Sequence, residues 1–184
     1  GHKTERPPAI KAWDRDGRVI YCGSCGKSMA PAFRLGWVLG GKRHRQLESL
    51  KVSNSLAAPL LEQQVLADYM KSGKLPAHLR KLRTRLAAVV PPARDSVRQH
   101  FPAGTRVSGP EGGWWLWLEL PEPIDTLSLL RTAVRQGISY TPGALFSASG
   151  KYGNCLRPNI ARPWTPPLAA GLRALGQAMR ARPA

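Results

Sequence analysis

Ser24-Cys25-Gly26-Lys27-Ser28-Met29-Ala30-Pro31-Ala32-Phe33-Arg34-Leu35-Gly36 is the stretch on which the reading of the chain turns. Before it, Val19-Ile20-Tyr21-Cys22 is a short apolar run bounded by glycine, as expected of a strand buried on both faces. After it, Leu35-Gly36-Trp37-Val38-Leu39 reads as a second buried strand, closed by Gly40-Gly41. Lys27 therefore sits in a Gly/Ser-rich loop at a strand end, where α/β sheets place their ligands.

Three chemistries could use that loop. A phosphate-binding P-loop needs a glycine five residues before its Gly-Lys-Ser, and Tyr21 stands there, so the backbone wrap is not available. Cys22 and Cys25 have the spacing of a redox pair or half a zinc site. A structural zinc needs four ligands, no second pair exists, and residues three apart in a strand point to opposite faces. No metal site is expected. The third chemistry is an imine between a primary amine and an aldehyde. It requires a lysine, favours a fixed cation nearby that keeps the amine neutral, and uses a guanidinium and a hydroxyl to hold a phosphate.

Lys27, Arg34 and Ser24 supply those groups, and their order is similar to the lysine segment of fold-type I pyridoxal-phosphate (PLP) aminotransferases: Ser-x-Ser-Lys, four residues, Pro-Gly, one residue, Arg, one residue, Gly. The resemblance implies Lys27 as the Schiff-base residue, with Ser24 and Arg34 as phosphate ligands. Gly26 departs from the pattern where a second hydroxyl residue is usual, and Ala32 replaces the usual Gly.

Further along the chain, Gly112-Gly113-Trp114-Trp115-Leu116-Trp117-Leu118-Glu119-Leu120-Pro121 resembles the first small-domain strand of the same proteins. Gly137-Ile138-Ser139-Tyr140-Thr141-Pro142-Gly143, followed by Phe146, resembles their Pro-Gly turn. Asn154-Cys155-Leu156-Arg157-Pro158-Asn159 resembles their Leu-Arg-x-Asn strand. In that family this arginine grips the substrate carboxylate, which implies the same role for Arg157. Strand alternation sets Arg157 and Asn159 on one face and Leu156 and Ile160 on the other, and Pro158 suggests an edge strand. His78-Leu79-Arg80-Lys81-Leu82-Arg83 resembles a run typical of the MocR subgroup, in which an aminotransferase-like domain follows a winged helix-turn-helix of GntR type.

The expected fold is α/β: the C-terminal portion of the fold-type I aminotransferase fold, a remnant of its large domain followed by a small α+β domain. The expected boundaries are 1–52 for the end of the large domain with the lysine loop, 53–94 for a helical connector, and 95–184 for the small domain. In the connector, Leu56, Leu60, Gln63 and Ala67 share a helical face ended by Gly73, and Leu79, Leu82, Leu86 and Val89 recur in a second helix that Pro91-Pro92 should break or kink. Beyond it, Trp114, Leu116, Leu118 and Leu120 alternate as in a strand. Asp125 can cap a helix ended by Gly137, and Thr165-Pro166 opens a last helix.

Composition fits a globular chain: 42% hydrophobic residues among 184, and no apolar stretch long enough to span a membrane. The three cysteines make no disulfide scaffold and read as cytoplasmic. The net charge of +17 suggests acidic partners, but the basic residues are scattered. Only 42–45 and 78–85 are dense, which argues for solvated faces rather than direct nucleic-acid binding by this stretch.

Only 26 residues precede Lys27, and none fits the acid for the pyridine nitrogen, the stacking ring or the phosphate loop that a PLP site also needs; Asp14 and Asp16 lie too close, in a turn-like segment. The expectation is a C-terminal portion of a longer protein, with Gly1-His2 as a tag remnant. That protein is expected to carry PLP, to contact DNA through an N-terminal winged-helix domain, to sense a small amine or amino acid, and to form a homodimer. The stretch alone is expected to hold no PLP on Lys27. The alternative expectation is part of a true aminotransferase that acts on an amino acid.

Overall fold

In the computed structural model, residues 7–180 are described. The Gly1-His2 reading lies outside them. Their contacts divide into two units, 7–82 and 83–180, along a line within the helical connector expected over 53–94.

The first unit holds β1 (Tyr21–Ser24) and β2 (Gly36–Leu39), an antiparallel hairpin in which Tyr21 pairs with Leu39 and Ser24 with Gly36. α1 (His44–Ser55) and α2 (Leu60–Lys71) follow. The buried strands read from sequence are corrected here. Trp37, Val38 and Leu39 are all exposed in β2, and β1 only alternates between half-buried and exposed. A continuous apolar run says that a strand wants cover, not where the cover is. The unit's buried core is small: Cys25, Leu35 and Leu66, with Met29, Ala30, Phe33 and Ala58 packed on them.

The helical face through Leu56 is also corrected. Leu56 has a left-handed φ of 52°, and Pro59 follows, so the chain leaves α1 and re-enters a helix at Leu60. Gly73, with φ of 71°, ends α2 as expected.

α3 (Leu75–His100) runs through Pro91 and Pro92 as one helix, so of the expected break or kink there is no break. Two missing N–H donors cost the helix, yet Val89, Val90, Ala93 and Val97 on either side of them are buried in one core. Burial of that stripe outweighs the lost hydrogen bonds.

In the second unit β3 (Arg106–Val107), β4 (Leu118–Glu119), β5 (Thr141–Pro142) and β6 (Cys155–Arg157) form an antiparallel sheet in the order β3-β4-β6-β5. Leu118 pairs with Leu156, and Leu156 with Pro142, so three fully buried residues line up across the sheet. α4 (Thr126–Arg135) and α5 (Pro166–Arg180) add Ala133, Leu172, Leu175 and Met179 to the same core. Asp125 caps α4 by accepting from the Leu127 N–H at 2.9 Å, and Gly137 follows it at a φ of 75°.

β6 lies inside the sheet rather than at its edge, which corrects the reading of Pro158. That proline comes one residue after the strand, where its carbonyl accepts from the Leu116 N–H at 3.3 Å and its missing donor is not required.

Tyr140 ties β5 to α4: its hydroxyl donates to the Thr126 carbonyl at 2.6 Å. Burial, then the charge of Asp125, pushes the phenol from 10.0 up to about 12. The phenol ionises more easily in the unfolded chain, so its contribution to stability is complete below pH 10 and is lost as pH rises through about 12. Urea unfolding between pH 8 and 12 should show stability falling in that window, with the fall reduced in Tyr140→Phe. An unchanged fall assigns it to other groups.

Candidate functional site

The lysine loop is pinned at its base. The Cys25 N–H donates to the Leu35 carbonyl at 3.0 Å, continuing the hairpin ladder by one rung, and the Cys25 carbonyl accepts from Ser28, Met29 and Ala30 at 3.0–3.4 Å. Those three N–H groups are thereby committed to the turn and cannot cradle a phosphate as a P-loop would. Burial pushes the Cys25 thiol above its ordinary value, while Cys22 is exposed. A metal or redox pair uses thiolate, which burial disfavours. Among the described residues no cluster of three metal-ligating side chains occurs.

Lys27 stands exposed on the turn. Ser24 and Arg34 converge beside it: a Cβ built on Gly26 would lie 3.4 Å from Ser24 Oγ and 3.8 Å from Arg34 Nη1. Ser24 Oγ accepts from the Gly26 N–H at 3.1 Å, which leaves its own hydrogen free to donate. Arg34 is held in the left-handed region at a φ of 54°, a strained conformation for a residue with a side chain. A hydroxyl and a guanidinium converging on one glycine, with an exposed lysine next to it in the chain, suit a phosphate with an aldehyde close by, so these residues fit PLP. Both departures from the motif are harmless to this shape. Gly26 has room for a side chain, and Ala32 sits within the short 3-10 helix Pro31–Phe33, which asks for no glycine.

Two supports were not legible as such. His78 reaches from the first turn of α3 to the Ser28 carbonyl, with Nε2 at 2.8 Å, and packs edge-on against Tyr69 with centroids 6.4 Å apart. It thus holds the lysine turn from 50 residues away; in sequence it showed only as the start of the His78–Arg83 run, with no contact to the loop legible. Asp14 accepts from Lys11 Nζ at 2.7 Å, the Arg18 N–H at 2.9 Å and the Val19 N–H at 3.0 Å, fixing the approach to β1. The Lys11 bond leads the effects that lower its carboxyl to about 2. This carboxylate is occupied in a turn, so it is not available to a pyridine nitrogen.

Arg157 ends β6 in the second unit. The bridge between Trp115 and Asn159 brings Trp115 alongside, and β5 leads through Gly143 into the turn that carries Phe146. The guanidinium carbon lies 4.2 Å from the Trp115 ring centroid and 4.5 Å from that of Phe146. Its Nε is buried with no hydrogen-bond partner, at a cost of about 1–3 kcal/mol that two cation–π contacts help offset. Phe146 rests edge-on against Trp117, and Trp117 against Tyr152, each at 5.6 Å. Sequence reasoning had Arg157 and Phe146 in separate motifs and read Trp115 only as part of a strand. The separation of Gly143 from Tyr152 and Cys155 leaves no space for a Cβ, which is why that turn needs its glycine.

No family model matches the chain. It is 37% identical to the HTH-type transcriptional regulator YjiR of Escherichia coli over 95% of its own length and 37% of the regulator's. It is 34% identical to aromatic-amino-acid aminotransferase 1 of Thermococcus litoralis, over 93% of this chain and 41% of the enzyme. The kynurenine aminotransferase of Pyrococcus horikoshii, solved with pyridoxamine phosphate, superposes with a TM-score of 0.87 at 30% identity, covering 97% of this chain and 45% of that one. The chain has part of the fold-type I PLP aminotransferase fold. Its relatives include HTH-type transcriptional regulators as well as aminotransferases. It spans less than half the length of these relatives. Among the described residues no helix is long and apolar enough to cross a membrane.

Proposed function

We propose that this chain is the PLP-binding, effector-sensing part of a GntR/MocR-type transcriptional regulator. The observation that carries the reading is the similarity to YjiR along nearly the whole chain, lysine loop and arginine strand included. In this reading residues 1–52 end the large domain, 53–94 connect, and 95–184 form the small domain. The intact protein is a cytoplasmic homodimer that binds DNA through an N-terminal winged-helix domain.

PLP, when bound, supplies an aldehyde that captures a primary amine and a ring that withdraws electrons from it. The residues of this chain do the rest. Lys27 holds the cofactor through its amine and yields that place to the amine of an effector. Arg34 and Ser24 hold the phosphate, the guanidinium through paired N–H donors and the hydroxyl through one. Arg157 receives the effector's carboxylate.

Arg157→Ala is expected to weaken the effector's influence on DNA binding by about 1.5–3 kcal/mol, the worth of a charge-assisted hydrogen bond, with PLP retained. Mobility-shift titration beside cofactor absorbance measures both. Equal loss of the two would make Arg157 structural.

The second reading, part of an aminotransferase that acts on an amino acid, is favoured by the 34% identity to the Thermococcus litoralis enzyme. Transfer of an amino group to a 2-oxo acid by the full-length protein, with DNA binding indifferent to amines, decides for it.

A further inference from the structure

We infer that Trp115 and Phe146 are positioning residues for Arg157: the two rings fix its guanidinium so that only the terminal nitrogens meet a ligand, and the ligand group they fit is a carboxylate. The inference rests on the carboxylate role proposed for Arg157.

The guanidinium carbon is 4.2 Å and 4.5 Å from the two ring centroids, so both rings are in cation–π contact with it. Two aromatic side chains therefore crowd it. Nε is buried and makes no hydrogen bond, so that edge is closed as well. Among the described residues the Nη atoms donate no hydrogen bond to a protein acceptor, and no carboxylate pairs with them. An arginine on a sheet surface ordinarily swings among many rotamers and pairs with whatever acceptor is near. This one is restrained by rings rather than by acceptors, which keeps its charge unspent.

The Nη edge can give two parallel hydrogen bonds to one acceptor group, and the two oxygens of a planar carboxylate meet them. Phe146 is 43% exposed, so its position is not secured by burial. It is secured by Trp117, which is in turn braced by Tyr152 at a left-handed φ of 67°. Strain of that kind is retained where surrounding contacts over-determine it.

The test uses the 184-residue chain and sodium acetate, with sodium chloride at equal ionic strength as the control. The Nε–H resonance of Arg157, shifted by the two rings, reports both the clamp and the titration. Phe146→Ala and Trp115→Ala should each move that resonance toward the free-arginine position. Each should also weaken acetate binding at Arg157 by about tenfold, the worth of ordering one long side chain beforehand. Phe146→Tyr should restore both, and Arg34 should respond to acetate identically in all variants. Unweakened binding in Phe146→Ala overturns this inference and leaves the carboxylate role of Arg157 standing. Failure of acetate to perturb Arg157 in the unmodified chain, with its resonance still ring-shifted, overturns that role and the inference with it.

Discussion

Lys27→Ala is expected to abolish the covalent attachment of PLP to the full-length protein. The lysine-bound absorbance should vanish, and borohydride treatment should leave no cofactor on the polypeptide. Among the described residues no other lysine lies within 4 Å of the Cβ position on Gly26 where Ser24 and Arg34 converge, and an imine needs a primary amine. Residual, non-covalent PLP held by Arg34 and Ser24 is compatible with the assignment. A variant that keeps a borohydride-reducible bond refutes it. Lys27→Arg should fail as fully as Lys27→Ala, because a guanidinium keeps its proton and cannot attack an aldehyde.

The second large effect is on stability. Leu156→Ala is expected to cost the second unit about 2–5 kcal/mol, from lost burial and from the cavity left behind. Leu156 is fully buried at the middle of the sheet, paired with Leu118 on one side and Pro142 on the other, so backbone on both flanks resists collapse into the space. Against a typical domain stability of about 5–15 kcal/mol, this is a large fraction. Guanidinium unfolding should show a lower midpoint at an unchanged slope. A loss below about 1 kcal/mol would show that the site collapses freely and that the sheet centre is not tightly packed.

Much of the architecture was legible because it is written in short-range terms. The alternation of Leu116, Leu118 and Leu120 against Trp115, Trp117 and Glu119 is a period of two, and a strand is the backbone that buries one of those faces. Asp125 and Gly137 bracket α4 through a side-chain cap and a left-handed glycine, both local devices. The spacing from Ser24 through Lys27 to Arg34 was readable for the same reason: one strand, one turn and one 3-10 helix carry all three residues, so the chain itself sets their meeting around Gly26.

What failed was whatever depends on neighbours far along the chain. Pro91-Pro92 looked like a break or a kink because two donors are lost locally. The tertiary core holds Val89, Val90, Ala93 and Val97, and that burial exceeds a helix's intrinsic preference. Leu56 looked helical by spacing and instead turns left-handed before Pro59. Arg157 was readable as a residue but not as a device. Trp115 reaches it through a bridge to Asn159, and Phe146 through the pairing of Thr141 with Arg157, so the clamp exists only once three segments have paired. The sequence by itself determined most elements, the caps of α4 and the spacing from Ser24 through Lys27 to Arg34, since backbone sterics and periodicity act within a few residues. The tertiary structure alone decided which strand lies inside the sheet, that His78 holds the lysine turn, and what flanks the arginine, because those follow from packing between residues that are distant in the chain.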